Sequence, residues 1–194
     1  MGNCQLATVG WFIKMMNSSV QICWCCNRSF IDNMVDQVNI PVNFLKRRDH
    51  AINNLKNCNC LIYHPFSGEK EWATPANARN ATDKIKVSWV YYNPDKHNES
   101  LDLMREKEKI HNVDIKSSEI LQKIYDQYGR ITTHNGPRHL SYTYYERLTK
   151  IICNRVGLFY DQPFMNYIES TGAPHAQPVN RKIYVHRSID NFLY

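Results

Sequence analysis

Short apolar runs bounded by turn residues, set among stretches of helical periodicity, constrain this chain more than any other feature. Cys58–Tyr63 is a compact apolar run of strand length that stops at His64-Pro65-Phe66. Ile85–Tyr92 is a second, rich in β-branched and aromatic residues and closed by Asn93-Pro94-Asp95. Val20–Cys26, closed by Asn27-Arg28-Ser29, reads as a third. Elsewhere the spacing changes to that of helices. Leu6, Val9, Phe12, Ile13 and Met16 mark one helical face, Phe30, Met34 and Val38 a weaker one, and Phe44, Leu45, Ile52 and Leu55 another. Ile120, Leu121, Ile124 and Tyr128 line a helix with Ser117 as its expected N-cap and Gly129 as its stop. A longer helix, about Leu140 to Val156, has its apolar face at Leu140, Tyr144, Leu148, Ile151 and Ile152, and Gly157 ends it. Helices and short apolar strands in this order predict an α/β fold with a mostly parallel sheet covered by helices.

A chain of 194 residues fits one such domain. The expected body covers 1–160, with the charged stretch 97–112 as an exposed helix or lid and 67–79 as a loop able to fold over a site. Residues 161–194 are expected to be a tail packed on that body, strand-like only at Lys182–His186. Hydrophobic content of 43% is enough for a core, which argues against a disordered chain. The longest apolar stretch, Leu6 to Met16, is interrupted by Lys14 and falls short of the roughly 18 residues of a membrane span, so no stable membrane insertion is expected. The N-terminus lacks the basic region and cleavage site of a secretory signal. Gly2 beside Cys4 also has the shape of a lipid anchor, although Leu6 stands where the myristoylation pattern has Ser or Thr.

Seven cysteines, with Cys23, Cys25, Cys26, Cys58 and Cys60 adjacent or nearly so, predict reduced thiols in a cytoplasmic setting rather than a disulfide framework. Their spacing departs from the usual Cys-x2-Cys of zinc sites, so no metal is expected. The net charge of +6 suits a small phosphate-bearing ligand, and no finger, aromatic RNA-binding motif or basic heptad points to nucleic acid. Lys46-Arg47-Arg48 fits both a solvated helix face and a phosphate contact.

Three places carry chemistry. Gly2-Asn3-Cys4-Gln5 is a small-residue turn that presents a thiol where a helix begins. The positive end of a helix dipole draws a thiol pKa below its free value of about 8.5, and the free N–H groups there hold a phosphate or an oxyanion. The same residues also suit a plain helix cap. The loop Ile131–His139 gathers His134, Asn135, Arg138 and His139 just before the long helix. His64, where an apolar strand stops, sits at the kind of sheet edge where α/β proteins keep ligands, or is a loop histidine without chemistry.

The Gly2-Asn3-Cys4-Gln5 opening resembles the WcbI-type polysaccharide-biosynthesis acetyltransferase family, and further stretches agree in order over most of residues 1–160. They are the buried strand Cys58–Tyr63 and a strand ending in a Tyr-x-Pro turn, here Tyr91-Tyr92-Asn93-Pro94-Asp95. Last comes a loop similar to Thr-x-Asn-His-Pro ahead of a long helix, here Thr133-His134-Asn135-Gly136-Pro137 and Arg155-Val156-Gly157-Leu158. The resemblance implies a three-layer α/β enzyme that binds coenzyme A or acetyl-CoA and acetylates a hydroxyl of a sugar or polysaccharide acceptor. It gives Cys4 the role of acyl-accepting nucleophile or oxyanion-hole member, His134 or His139 that of base, and Gly2, Asn3, Gln5, Asn135 and Arg138 that of cofactor contacts. Gly136 stands where the family has its histidine, so His134 fills that role only by a local rearrangement. The family's first strand precedes the motif, whereas this chain begins at it. A parallel sheet without that strand would leave ladder groups unpaired, so the expectation is either that Met1 is an internal methionine of a longer reading frame or that another strand takes its place. An SGNH-like acyl ester hydrolase using the same turn, and a non-catalytic relative anchored through Gly2 and Cys4, are the alternative readings.

Overall fold

The computed structural model describes residues 4–22, 49, 52–65, 75–131, 133 and 140–170. The expected strand beyond residue 22, the helix over 30–38, the Lys46–Arg48 cluster, most of the 67–79 loop and everything after 170 lie outside the described residues. The chain is mixed α/β: α1 (Cys4–Met16), β1 (Cys60–Tyr63), β2 (Asp83–Lys86), α2 (His97–His111), α3 (Ser117–Tyr128), α4 (Tyr142–Val156) and α5 (Gln162–Ser170), with residues 52–57 also helical.

β1 and β2 pair in parallel, from Cys60 opposite Asp83 to Tyr63 opposite Lys86. The pairing continues one step further, because the Val87 N–H donates to the Tyr63 carbonyl at 2.8 Å. On the other edge of β2 the Lys86 carbonyl accepts from the N–H groups of Asp114 and Ile115, each at 3.0 Å, and Val87 bridges Ile115 in parallel. The run expected as one strand from Ile85 to Tyr92 is thus in two parts. Its first half is paired on both sides, and from Trp89 to Tyr92 it leaves the ladder while side chains still alternate. Val90 and Tyr92 are buried, and Trp89 and Tyr91 are exposed. The described residues give a two-stranded parallel sheet.

Glycine closes the helices where the sequence places it. Gly129 follows α3 with φ of 67° and Gly157 follows α4 with φ of 70°, the left-handed conformation glycine adopts without a Cβ penalty. Three local expectations change. Ser117 is the first residue of α3 rather than its cap: Lys116 holds the cap position, and the Ser117 hydroxyl donates to the Ser88 carbonyl at 3.0 Å. α4 begins at Tyr142, because Leu140 is held in a bridge to Thr133. α2 is not wholly exposed, since Ser100, Leu101, Met104 and Glu108 form a buried face.

The core lies where α1, α3 and α4 meet the paired segment. Leu6, Val9, Phe12 and Ile13 of α1 join Ile85, Val87, Ile120, Leu121, Ile124, Leu148 and Ile152. The Phe12 ring meets Tyr142 edge-on, centroids 5.7 Å apart. α5, in the segment read as a tail, buries Met165 and Ile168 in the same core. A smaller apolar cluster, Leu55, Leu61, Tyr63 and Ala78, includes the buried residues of β1.

Candidate functional site

Cys4 is the first residue of α1, so the thiol-bearing position does open a helix. What holds that helix end is the next residue. Gln5 is fully buried, and its side-chain amide treats Val90 as a neighbouring strand would: Nε2 donates to the Val90 carbonyl at 3.1 Å, and Oε1 accepts from the Val90 N–H at 3.3 Å. Val90 lies past the carboxyl end of β2, so the first turn of α1 is fastened there, where open parallel sheets hold ligands. The exposed rings of Trp89 and Tyr91 flank that anchor. Gln5, a cofactor contact by the resemblance, is 0% exposed and has both ends of its side-chain amide on Val90.

Of the other expected site residues, Gly2, Asn3, His134, Asn135, Arg138 and His139 lie outside the described residues. His64 follows β1 directly and is 1% exposed, with Nδ1 2.8 Å from the Val87 carbonyl. Nδ1 must therefore carry the proton. Burial lowers the His64 pKa to about 4, partly offset by that hydrogen bond, so near neutral pH the ring is uncharged and a weak proton acceptor. Its role is to tie the carboxyl end of β1 to the segment after β2.

Two polar groupings escaped the sequence reading. Glu108, within the charged row Arg105–Lys109, is buried and accepts from the Ser88 hydroxyl at 2.7 Å, from the Ser118 N–H at 2.9 Å and from the Ser118 hydroxyl. The Ser117 N–H donates to Ser88 Oγ at 2.6 Å, and the Ser117 and Tyr144 hydroxyls are 2.7 Å apart. The Glu108 carboxyl group thus stands at the start of α3 and satisfies an N–H group of that helix end. The three- and four-residue spacing of Leu101, Met104 and Glu108 was the available signal, because it puts the carboxylate on the apolar stripe. The second grouping is His97, which stacks on Tyr125 at 3.7 Å with Nδ1 2.8 Å from the Tyr92 hydroxyl; burial, then Arg105, lowers its pKa.

Cys58, Cys60 and Cys153 form no disulfide among the described residues, and the Cys58 thiol donates to the Leu55 carbonyl at 3.3 Å; burial pushes the Cys153 thiol up to about 11 and also raises Cys60, with Asp83 adding to it. Neither of these two is activated as a nucleophile. Among the described residues no group of three or more His, Cys, Asp or Glu is placed to hold a metal ion, and no helix is long and apolar enough to cross a membrane. No family model, curated protein or solved structure matches the chain.

Proposed function

We propose that the chain is a coenzyme-A-dependent acyltransferase acting on a sugar hydroxyl, with Cys4 as the residue that handles the acyl group. The observation that carries this reading is the start of α1: Cys4 opens the helix past the carboxyl end of β2, and Gln5 fastens it there through both hydrogen bonds to Val90. A helix N-terminus favours a thiolate and offers N–H groups to a developing oxyanion, so Cys4 serves as acyl acceptor or as part of the oxyanion hole. Acetyl-CoA would supply the acyl group as an activated thioester, whose C–S bond breaks to release coenzyme A as its free thiol while the sugar oxygen takes the acyl group. Gly2, Asn3, Asn135 and Arg138 are the residues left to contact the cofactor, since Gln5 has no exposed surface. His134 or His139 takes the proton of the acceptor hydroxyl, a task suited to imidazole near neutral pH. The three-layer sheet and the reducing, cytoplasmic setting belong to the same reading.

Acetyl-CoA is expected to raise the melting temperature of the purified chain and to support acetylation of a sugar acceptor, with Cys4→Ala abolishing transfer. No thermal shift at millimolar acetyl-CoA, with circular dichroism showing a folded protein, overturns the reading. Release of nitrophenol from a model acetate ester that needs Cys4 but no acetyl-CoA would identify a hydrolase instead.

A further inference from the structure

Away from α1, the surface between α3 and α4 forms an open groove of about 400 Å3, a size that suits a small organic ligand. Five cations line it: Lys116 and Lys123 from the α3 side, and Arg147, Lys150 and Arg155 from α4. Two carboxylates answer them. Asp114 pairs with Arg155 at 3.1 Å and Glu119 with Lys116 at 3.1 Å. The other three cations have no carboxylate partner among the described residues, and two of them are held by neutral groups. Arg147 donates to the amide oxygen of Gln127, while Lys150 donates to that of Gln162 at 3.3 Å with its ammonium 5.3 Å from the Tyr160 ring centroid. Gln162 and Tyr160 in turn donate to Glu146, so a carboxylate stands behind the Lys150 partners, while the amide oxygens and the aromatic face orient both cations without a carboxylate in direct contact. The exposed Ile151 supplies an apolar surface beside these charges, with the buried Ile115 and Ile120 behind it.

We propose that this groove binds a phosphate ester of a small organic molecule, with the phosphate on Lys123, Arg147 and Lys150 and the organic body against the exposed Ile151. A bare surface of scattered lysines would offer charge alone, whereas here an apolar surface and a pre-oriented guanidinium share one concavity. The proposal goes beyond the acyl-transfer reading and does not depend on Cys4.

Calorimetric titration of the full chain at low salt, with ADP and with pyrophosphate as probes, tests it. ADP is expected to bind saturably and more tightly than pyrophosphate, with affinity falling as salt is added. Lys123→Glu combined with Lys150→Glu, both on exposed helix positions, is expected to weaken ADP at least about tenfold. If that pair disturbs the circular dichroism, Lys123→Gln with Lys150→Gln takes its place, with a severalfold loss expected. Pyrophosphate binding as tightly as ADP would overturn the ester assignment in favour of free phosphate chains. No saturable binding of either probe at millimolar concentration, or unchanged ADP affinity in the folded double variant, would overturn the site.

Discussion

Replacing Gln5 with Met keeps the volume of the side chain but removes both hydrogen bonds to Val90, leaving a buried N–H and a buried carbonyl without those partners. Each such group costs about 1–3 kcal/mol, so chemical denaturation of Gln5→Met should show a loss of about 3 kcal/mol. An unchanged midpoint would mean that Val90 is satisfied otherwise. Thr149 presents the opposite case. It is fully buried in α4, and its hydroxyl has no hydrogen-bond partner among the described residues. Thr149→Val exchanges that hydroxyl for a methyl of similar shape and should stabilise the protein by about 1 kcal/mol, read as a higher denaturation midpoint with the same slope.

At the scale of elements, helix ends are set locally. Gly129 and Gly157 both adopt positive φ, and a Cβ added at either would meet nothing within 4 Å, so substitution there carries only backbone strain. Gly129→Ala and Gly157→Ala should each cost about 1 kcal/mol in equilibrium unfolding, with Asn better tolerated than Ala at the same positions. A loss several times larger would show that packing, not the left-handed backbone, fixes these residues. The helix starts are less local. α3 was expected to take Ser117 as its cap; instead Glu108, from the preceding helix, accepts from the Ser118 N–H, and Ser117 turns inward to Ser88 and Tyr144. Serine hydrogen-bonds either backbone or side chains with equal ease, so its sequence position alone does not choose between them.

For the whole molecule, pH is the lever that the burial of His64 creates. Its folded pKa of about 4 lies below the unfolded value of about 6.5. The unfolded state therefore binds the proton more readily, and the contribution of neutral His64 is intact above pH ~6.5 and lost as pH falls toward 4. The shift corresponds to about 3 kcal/mol across that window. Urea unfolding measured from pH 7 to 4 should show this decline, and His64→Gln should flatten it. An equal slope in the variant would assign the acid sensitivity to other groups. Because His64 joins the end of β1 to Val87, the sheet is where acid should loosen the fold first.

The apolar stripes of α1, α3 and α4, their glycine stops and the runs around Cys58–Tyr63 and Ile85–Tyr92 were legible in the sequence, because periodicity and positive φ are properties of a few neighbouring residues. So was Cys4 as the opening of a helix. The sequence could not show what holds that opening in place, since the partner of Gln5 is Val90, 85 residues away. Nor could it separate Glu108 from the solvated charges beside it, or His64 from a ligand-facing histidine. Gln, Glu and His are ordinarily solvated, and an interior holds them only where their hydrogen bonds are satisfied. Which of the two they occupy is decided by what the rest of the chain brings within hydrogen-bond reach, and only the tertiary structure does that.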